Sequence, residues 1–239
     1  MVNNFFLFYQ GSIQGLFLLL FIENLLIALA AVIMGVFVLK SLEKPFVLPD
    51  KRERKFFALT ILLNTALTYF GFLLWDAGFI KLHLKFDFNV LADFFFLAIV
   101  MDFASWILHY ILHSKFLFRH IHHLSHACKN LNPANLFVIH PIETLMFGFV
   151  WIFVLSLLPF NIYAIILYMV FNIIMGIIAN LGINYRAPQG SFTRFFISPA
   201  FRLEHHSTCD SNFGYHTKIW DTVFKTLSST YSKLAKNTL

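Results

Sequence analysis

Histidine is the residue type in this chain that can do chemistry. Ten of its eleven histidines lie between His109 and His216, and several stand in pairs set by the helical repeat. In MDFASWILHYILH, Asp102, His109 and His113 fall close to one stripe of a helix. Two imidazoles four residues apart on a helical face can ligate one metal ion. Asp102, two turns earlier, is placed to accept the second ring N–H of His109 directly or through water. HIHHLSH follows at 120–126, with His122 and His126 again four apart and His120 and His123 beside them. HPIE occupies His140 to Glu143, RLEHHST brings His205 and His206, and NFGYHTKIWD brings His216 and Asp221. One HxxxH pair alone is a weak signal, but a buffering or headgroup-facing surface has no need of such pairs in separate segments. Imidazole suits zinc, copper, iron and nickel. A tetrahedral zinc takes four ligands; the larger supply here suits two metals close together, and the residue types do not choose iron over zinc.

The elements that must hold these side chains are membrane helices. The 239 residues are 59% hydrophobic and 13% charged, with a mean hydropathy of +0.72; soluble domains run at roughly 45–50% apolar and about 25% charged. Such a chain has too little interior for its apolar side chains, so many must face lipid. This excludes a soluble enzyme, a disordered chain and a secreted disulfide scaffold; Cys128 and Cys209 give no framework of bridges. MVNNFFLFYQ lacks the basic start of a signal peptide. Apolar runs predict spans over 13–39, 56–80, 90–112, 136–158 and 162–181, the last two being either full spans or a re-entrant hairpin. Residues 40–55 carry six Lys/Arg and two prolines and read as a loop, cytoplasmic by the positive-inside rule. The histidine-rich stretch 114–135 and the basic region from Gly182 onward belong on the same side. Five crossings put the N-terminus outside. The net charge of +6 speaks to orientation and not to nucleic acid. The expectation is one all-α membrane-embedded domain over 1–239: a polytopic helical bundle under a cytosolic histidine-rich helical cap.

Residues from about Val90 to Leu227 resemble the fatty acid hydroxylase/sterol desaturase superfamily, integral membrane di-metal oxygenases with histidine boxes. Asp102 and WILHYILH match its first box, HHLSH at 122–126 its second, HPIE at 140–143 its HP[IL][ED] element, and LEHHSTCDSNFGYHTKIWDTVFKT its third box and tail. The resemblance implies a histidine-box region over 90–227 that holds two irons (zinc in some preparations) and uses O2 to hydroxylate or desaturate a fatty acyl, sterol or related membrane lipid. It implies His109, His113, His122, His126, His140, His205 and His206 as ligands, with Asp102, Glu143 and Asp221 as their outer partners. The chain departs from the pattern at Ser125, Asn180 and Arg202, where the family carries histidine, and at Tyr110, where arginine is frequent. His120, His123 and His216 are the extra histidines on hand as substitutes, and Arg202 is expected to face a carboxylate such as Glu204 or Asp210, or a lipid headgroup. No Rossmann fingerprint or CxxCH is visible, so electrons are expected from an external donor such as a cytochrome, or a ferredoxin and reductase. The basic 40–55 loop and the segment 218–236 are candidates to dock it, though positive-inside topology accounts for both. The alternative is a non-catalytic or single-zinc lipid-binding membrane protein with a degenerate metal site; a metal or haem relay has no use for HPIE or the NFG…WD tail.

Overall fold

The computed structural model describes residues 13–127, 131–185 and 195–230. Five long helices carry the fold: α1 (Ile13–Ser41), α2 (Lys51–Asp76), α3 (Asn89–Leu112), α4 (Pro141–Leu157) and α5 (Ile162–Ala179). All but α4 are long and apolar enough to cross a membrane. Their outer faces expose Ile33, Phe37, Phe95, Phe153 and Ile166, the reverse of a soluble helix and what a lipid solvent permits. The chain is an all-α polytopic membrane protein. The two cysteines cannot be compared, because Cys128 lies outside the described residues, as do 231–236 of the basic segment.

The helices close into a ring in the order α1, α2, α4, α3, α5 and back to α1. One apolar cluster gathers Ala28, Ala31, Leu39, Ile61, Phe137 and Ile177; another gathers Leu97, Met101, Val154, Phe160 and Tyr168 between α3, α4 and α5. At the far end two short strands, β1 (Leu82–His83) and β2 (Phe160–Asn161), pair in parallel. The Asn161 backbone N–H also donates to Asp93 Oδ2, at 2.7 Å. These bonds hold the α4–α5 turn level with the α2–α3 turn. The 17 residues of α4 rise about 26 Å, so the last two helices traverse the bundle and do not form a re-entrant hairpin.

Three boundaries differ from the hydropathy reading. The loop expected over 40–55 ends at Asp50, because a capping box between Asp50 and Glu53 starts α2 inside the basic run. The run beginning at Leu136 does not start a helix there. Asn132 and Asn135 cap a 3-10 turn over Pro133–Phe137, and α4 begins only at Pro141, with His140 as its N-cap. That turn packs on Gly35 of α1, where a Cβ would overlap the Pro133 ring. The third difference is in the cap segment Lys115–His126, which is not one regular helix: its middle, Phe118–His122, is a π-helical turn. The cap is completed by α6 (Pro199–Thr208), α7 (Ile219–Val223) and the loop between them. Arg52 of α2 shares a pocket of about 220 Å³ with His120, His123 and His140, so the basic loop and the histidine cap lie on one face of the bundle.

Candidate metal centre

The histidines arrive on several elements, and the local sequence aims them. His109 sits in the last turn of α3 and His113 at its C-cap. His122 ends the π-helical turn and His126 ends the short helix after it. The wider turn re-aims side chains relative to an α-helix, so that His122 is buried inward while His123 is exposed. His205 lies on the buried face of α6, which Ser198 and Pro199 start. One nitrogen from each of His109, His113, His122, His126 and His205 lies within 4.8 Å of all the others. His109, His122 and His205 are fully buried. The ring of His206 stacks on His126 at 4.4 Å beside the group.

The opposite ring nitrogens explain the convergence. His109 Nδ1–H donates to the Phe213 carbonyl at 2.7 Å, and His205 Nδ1–H to the Ser211 carbonyl at 2.7 Å. His113 donates to the Cys209 backbone, which leaves its Nε2 without a partner. The loop after α6 thus presents carbonyls at alternate residues 209, 211 and 213, one for each of three imidazoles. Cys209 turns the chain into this loop with a left-handed φ of 61°. His122 Nδ1–H donates to Glu143 Oε1 at 3.1 Å, and Ser125 Oγ–H to Glu143 Oε2 at 3.3 Å. With Nδ1 protonated in each, the Nε2 lone pairs face one another: His109 Nε2 lies 3.1 Å from His122 Nε2, and His126 Nε2 3.2 Å from His122 Nε2. His205 Nε2 and His206 Nε2 are buried with no partner.

Burial, and then Arg202, pushes His205 and His206 well down, His206 to about 2. Burial likewise lowers His126, and His113 to about 4. Neutral imidazoles that converge lone pairs in a dry site repel one another unless a cation lies between them. The donor set therefore fits a first-row metal ion held by imidazole, and the carbonyl and carboxylate partners fix the tautomers as such a site requires.

A family model described as fatty acid hydroxylase matches residues 94–226, more than half of the chain. The chain belongs to the fatty acid hydroxylase family. Among curated relatives, a lathosterol oxidase of Homo sapiens is 29% identical over 197 residues, 75% of this chain and 62% of its own length. A lathosterol oxidase of Rattus norvegicus is 26% identical over 130 residues, 51% of this chain and 40% of its own. The chain spans less than two thirds of the length of either. No solved structure matches it.

Several residues named from the family pattern stand elsewhere. His140 does not join the five; its Nδ1 caps α4 by accepting the Ile142 N–H at 3.3 Å. His123 points into the outer pocket with His120. His216 is buried apart, with Nε2 2.9 Å from Asn172 Oδ1 and Nδ1 3.4 Å from Asp102 Oδ1. Asp102 does not reach the His109 ring. It accepts the backbone N–H groups of His216 and Thr217 at 3.0 and 3.2 Å, so it ties the tail to α3 and leaves His109 to the Phe213 carbonyl. Asp221 acts one step further out than expected. It accepts from the Phe213 and Gly214 N–H groups at 2.9 and 2.7 Å and from Trp106 Nε1 at 3.1 Å, shaping the turn that offers the Phe213 carbonyl. A Cβ at Gly214 would overlap the Thr217 carbonyl in that turn. Arg202 faces no carboxylate within ion-pair range among the described residues. It lies over the Tyr215 ring at 5.7 Å and donates to the Tyr215 hydroxyl. Tyr215, packed between His109 and Phe147, was missed in the sequence because nothing in GYH marks it as different from any membrane-interface tyrosine.

Proposed function

We propose that this protein is a membrane-bound lipid oxidoreductase that uses iron and O2 to hydroxylate or desaturate a fatty acyl, sterol or related lipid. The observation that carries the proposal is the convergence of five imidazoles whose outer nitrogens are tied off, at one end of a bundle of membrane helices. His109, His113, His122, His126 and His205 would hold the metal. Iron bound there supplies activation of dioxygen, so that a C–H bond of the lipid can be oxidised. The chain supplies the rest. Glu143 and the 209–213 carbonyls hold four of the rings in the tautomer that binds, and His126 Nδ1 meets the Cys209 Sγ at 3.4 Å, so little rearrangement is needed when the metal enters. Burial keeps water from the centre. Phe147, one turn further along α4 than Glu143, packs on Tyr215 at 5.2 Å, and Tyr215 on His109 at 5.0 Å, so a lipid held beside the centre would meet aromatic surface. A sterol is the substrate class that the names of the human and rat relatives suggest. A cytochrome, or a ferredoxin with its reductase, would deliver the electrons. The basic residues within 40–55 lie on the histidine face, which supports a cytoplasmic orientation for that face by the positive-inside rule. Residues 90–227 would form the catalytic region, with α1 and α2 bracing it within a single domain.

The test is metal analysis of the purified protein together with lipid profiling of membranes with and without it, under isotopically labelled dioxygen. Label in a new lipid hydroxyl identifies hydroxylation, and a new unlabelled double bond identifies desaturation. Iron-loaded protein supplied with a donor system and leaving every lipid unchanged sinks the enzymatic reading. Zinc bound in place of iron, with no lipid change, points to the lipid-binding alternative.

A further inference from the structure

The three positions at which this chain lacks a family histidine have been given other work. Ser125 holds the Glu143 carboxylate at 3.3 Å. The Asn180 side-chain amide donates to the Gly176 carbonyl at 2.8 Å, closing the end of α5. Arg202 lies on Tyr215. The extra histidines do not make up the loss, since His120 and His123 face the outer pocket and His216 is engaged by Asn172 and Asp102. Among the described residues there is no second group of three His, Cys, Asp or Glu side chains with ligand atoms in mutual reach. Beside the five converging imidazoles stands His206, with an unpartnered buried Nε2, and one imidazole does not hold an ion.

What does stand next to His206 is a guanidinium. Residues 202, 205 and 206 of α6 are three and four apart and share one face, so Arg202 is directed to the same side as the two histidines. Its Nε is buried with no hydrogen-bond partner. Its Cζ lies 5.7 Å over the Tyr215 ring, which packs against the His109 ring at 5.0 Å. A guanidinium cannot lose its proton and cannot ligate. A guanidinium whose Nε is buried and which has no carboxylate beside it is costly, unless it occupies a place where the surroundings are built for positive charge.

We infer that the centre holds one metal ion, and that the Arg202 guanidinium stands as a fixed cation where the family pattern places the second. The inference rests on the metal-centre reading above and deepens it. It gives the positive charge beside His206 and Tyr215 to the protein itself, so that the site keeps its electrostatic character with a single exchangeable ion.

The experiment uses the full chain in lipid nanodiscs, stripped of metal and titrated anaerobically with ferrous iron. Bound metal is read by elemental mass spectrometry, affinity by competition with a chromophoric chelator, and the oxidised sample by electron paramagnetic resonance. One ion per chain at saturation, with the signal of isolated ferric ions accounting for the iron, is expected. Arg202→Lys keeps the charge and should leave affinity and stoichiometry unchanged. Arg202→Gln removes the repulsion and should bind iron at least tenfold more tightly, which is roughly what a monovalent and a divalent cation about 6 Å apart impose even at the dielectric constant of water. Two ions per wild-type chain, or a spin-silent coupled pair, overturn this inference and leave the metal-centre reading standing. No bound ion overturns both. Arg202→Gln binding no more tightly than Arg202→Lys shows that the guanidinium is not at the centre, and overturns the assignment of its role.

Discussion

Glu143→Gln removes one charge from behind the centre with almost no change in volume. The carboxylate is buried, 2% exposed, and accepts from His122 Nδ1 at 3.1 Å and Ser125 Oγ at 3.3 Å. The amide can still accept through its oxygen, so the His122 tautomer survives; what is lost is the charge assistance that makes the imidazole a stronger donor to metal. Hydrogen bonds to charged groups contribute about 1.5–3 kcal/mol and neutral ones about 0.5–1.5. Their difference, ~1–2 kcal/mol, is roughly 5- to 30-fold in metal affinity. Outer partners of metal-bound histidines cost about 10- to 100-fold when altered, so roughly 10- to 30-fold is the expected loss. Ser125→Ala removes a single neutral donor and should cost about threefold or less. The assay is chelator competition on nanodisc-embedded protein, with circular dichroism confirming unchanged helix content. Wild-type affinity in Glu143→Gln, alongside lost binding in His122→Ala, would refute the idea that the carboxylate tunes the centre through His122.

Alanine at His109, His122 or His205 should abolish metal binding at micromolar concentrations, whereas His123→Ala and His140→Ala should retain it within about threefold, as expected of residues outside the ligand set; equal losses in both groups would mean that the cap rearranges around the metal. The metal-free protein should lose thermal stability as pH falls from about 6.5 toward 4, because burial holds folded His113 near 4 while the unfolded chain takes up its proton earlier. The lowered histidines give no such slope above pH 7, and a flat unfolding midpoint between pH 7 and 4.5 would count against neutral, preorganised rings. Cysteines placed at Lys44 and Ser207 should label together from one side of intact cells and be protected together from the other; opposite labelling would break the one-faced architecture.

Much of this was legible in the sequence because it is local. Hydropathy marks five apolar runs, and four helices of spanning length sit where it puts them. The pairs His109/His113 and His122/His126 are set by the helical repeat, and the structure brings them together. Boundaries set by capping were less visible: the Asp50–Glu53 box pulls α2 into a run that charge alone assigns to a loop, and His140 spends its ring on starting α4. The π-helical turn at Phe118–His122 was not legible at all. A regular helix leaves His122 and His123 about 100° apart and gives no reason to prefer one; the extra residue in the turn makes the choice, burying His122 and exposing His123.

The partners of the ring nitrogens were hidden for a different reason. A sequence displays side chains, and three of the five contacts that orient the imidazoles end on backbone carbonyls, at Cys209, Ser211 and Phe213. Any residue type offers a carbonyl, so only the path of the loop decides which ones face inward. That path is set by acids which looked like ligand partners. Asp221 gathers the Phe213 and Gly214 N–H groups, and Asp102 gathers those of His216 and Thr217. Their carboxylates are needed because each binds two backbone donors that the helices leave unsatisfied, which an apolar residue cannot do in a dry interior. Both acids therefore act on the metal centre through the shape of one loop. Removing either carboxylate should disturb all three carbonyl-bound histidines together, while removing Glu143 reaches only His122.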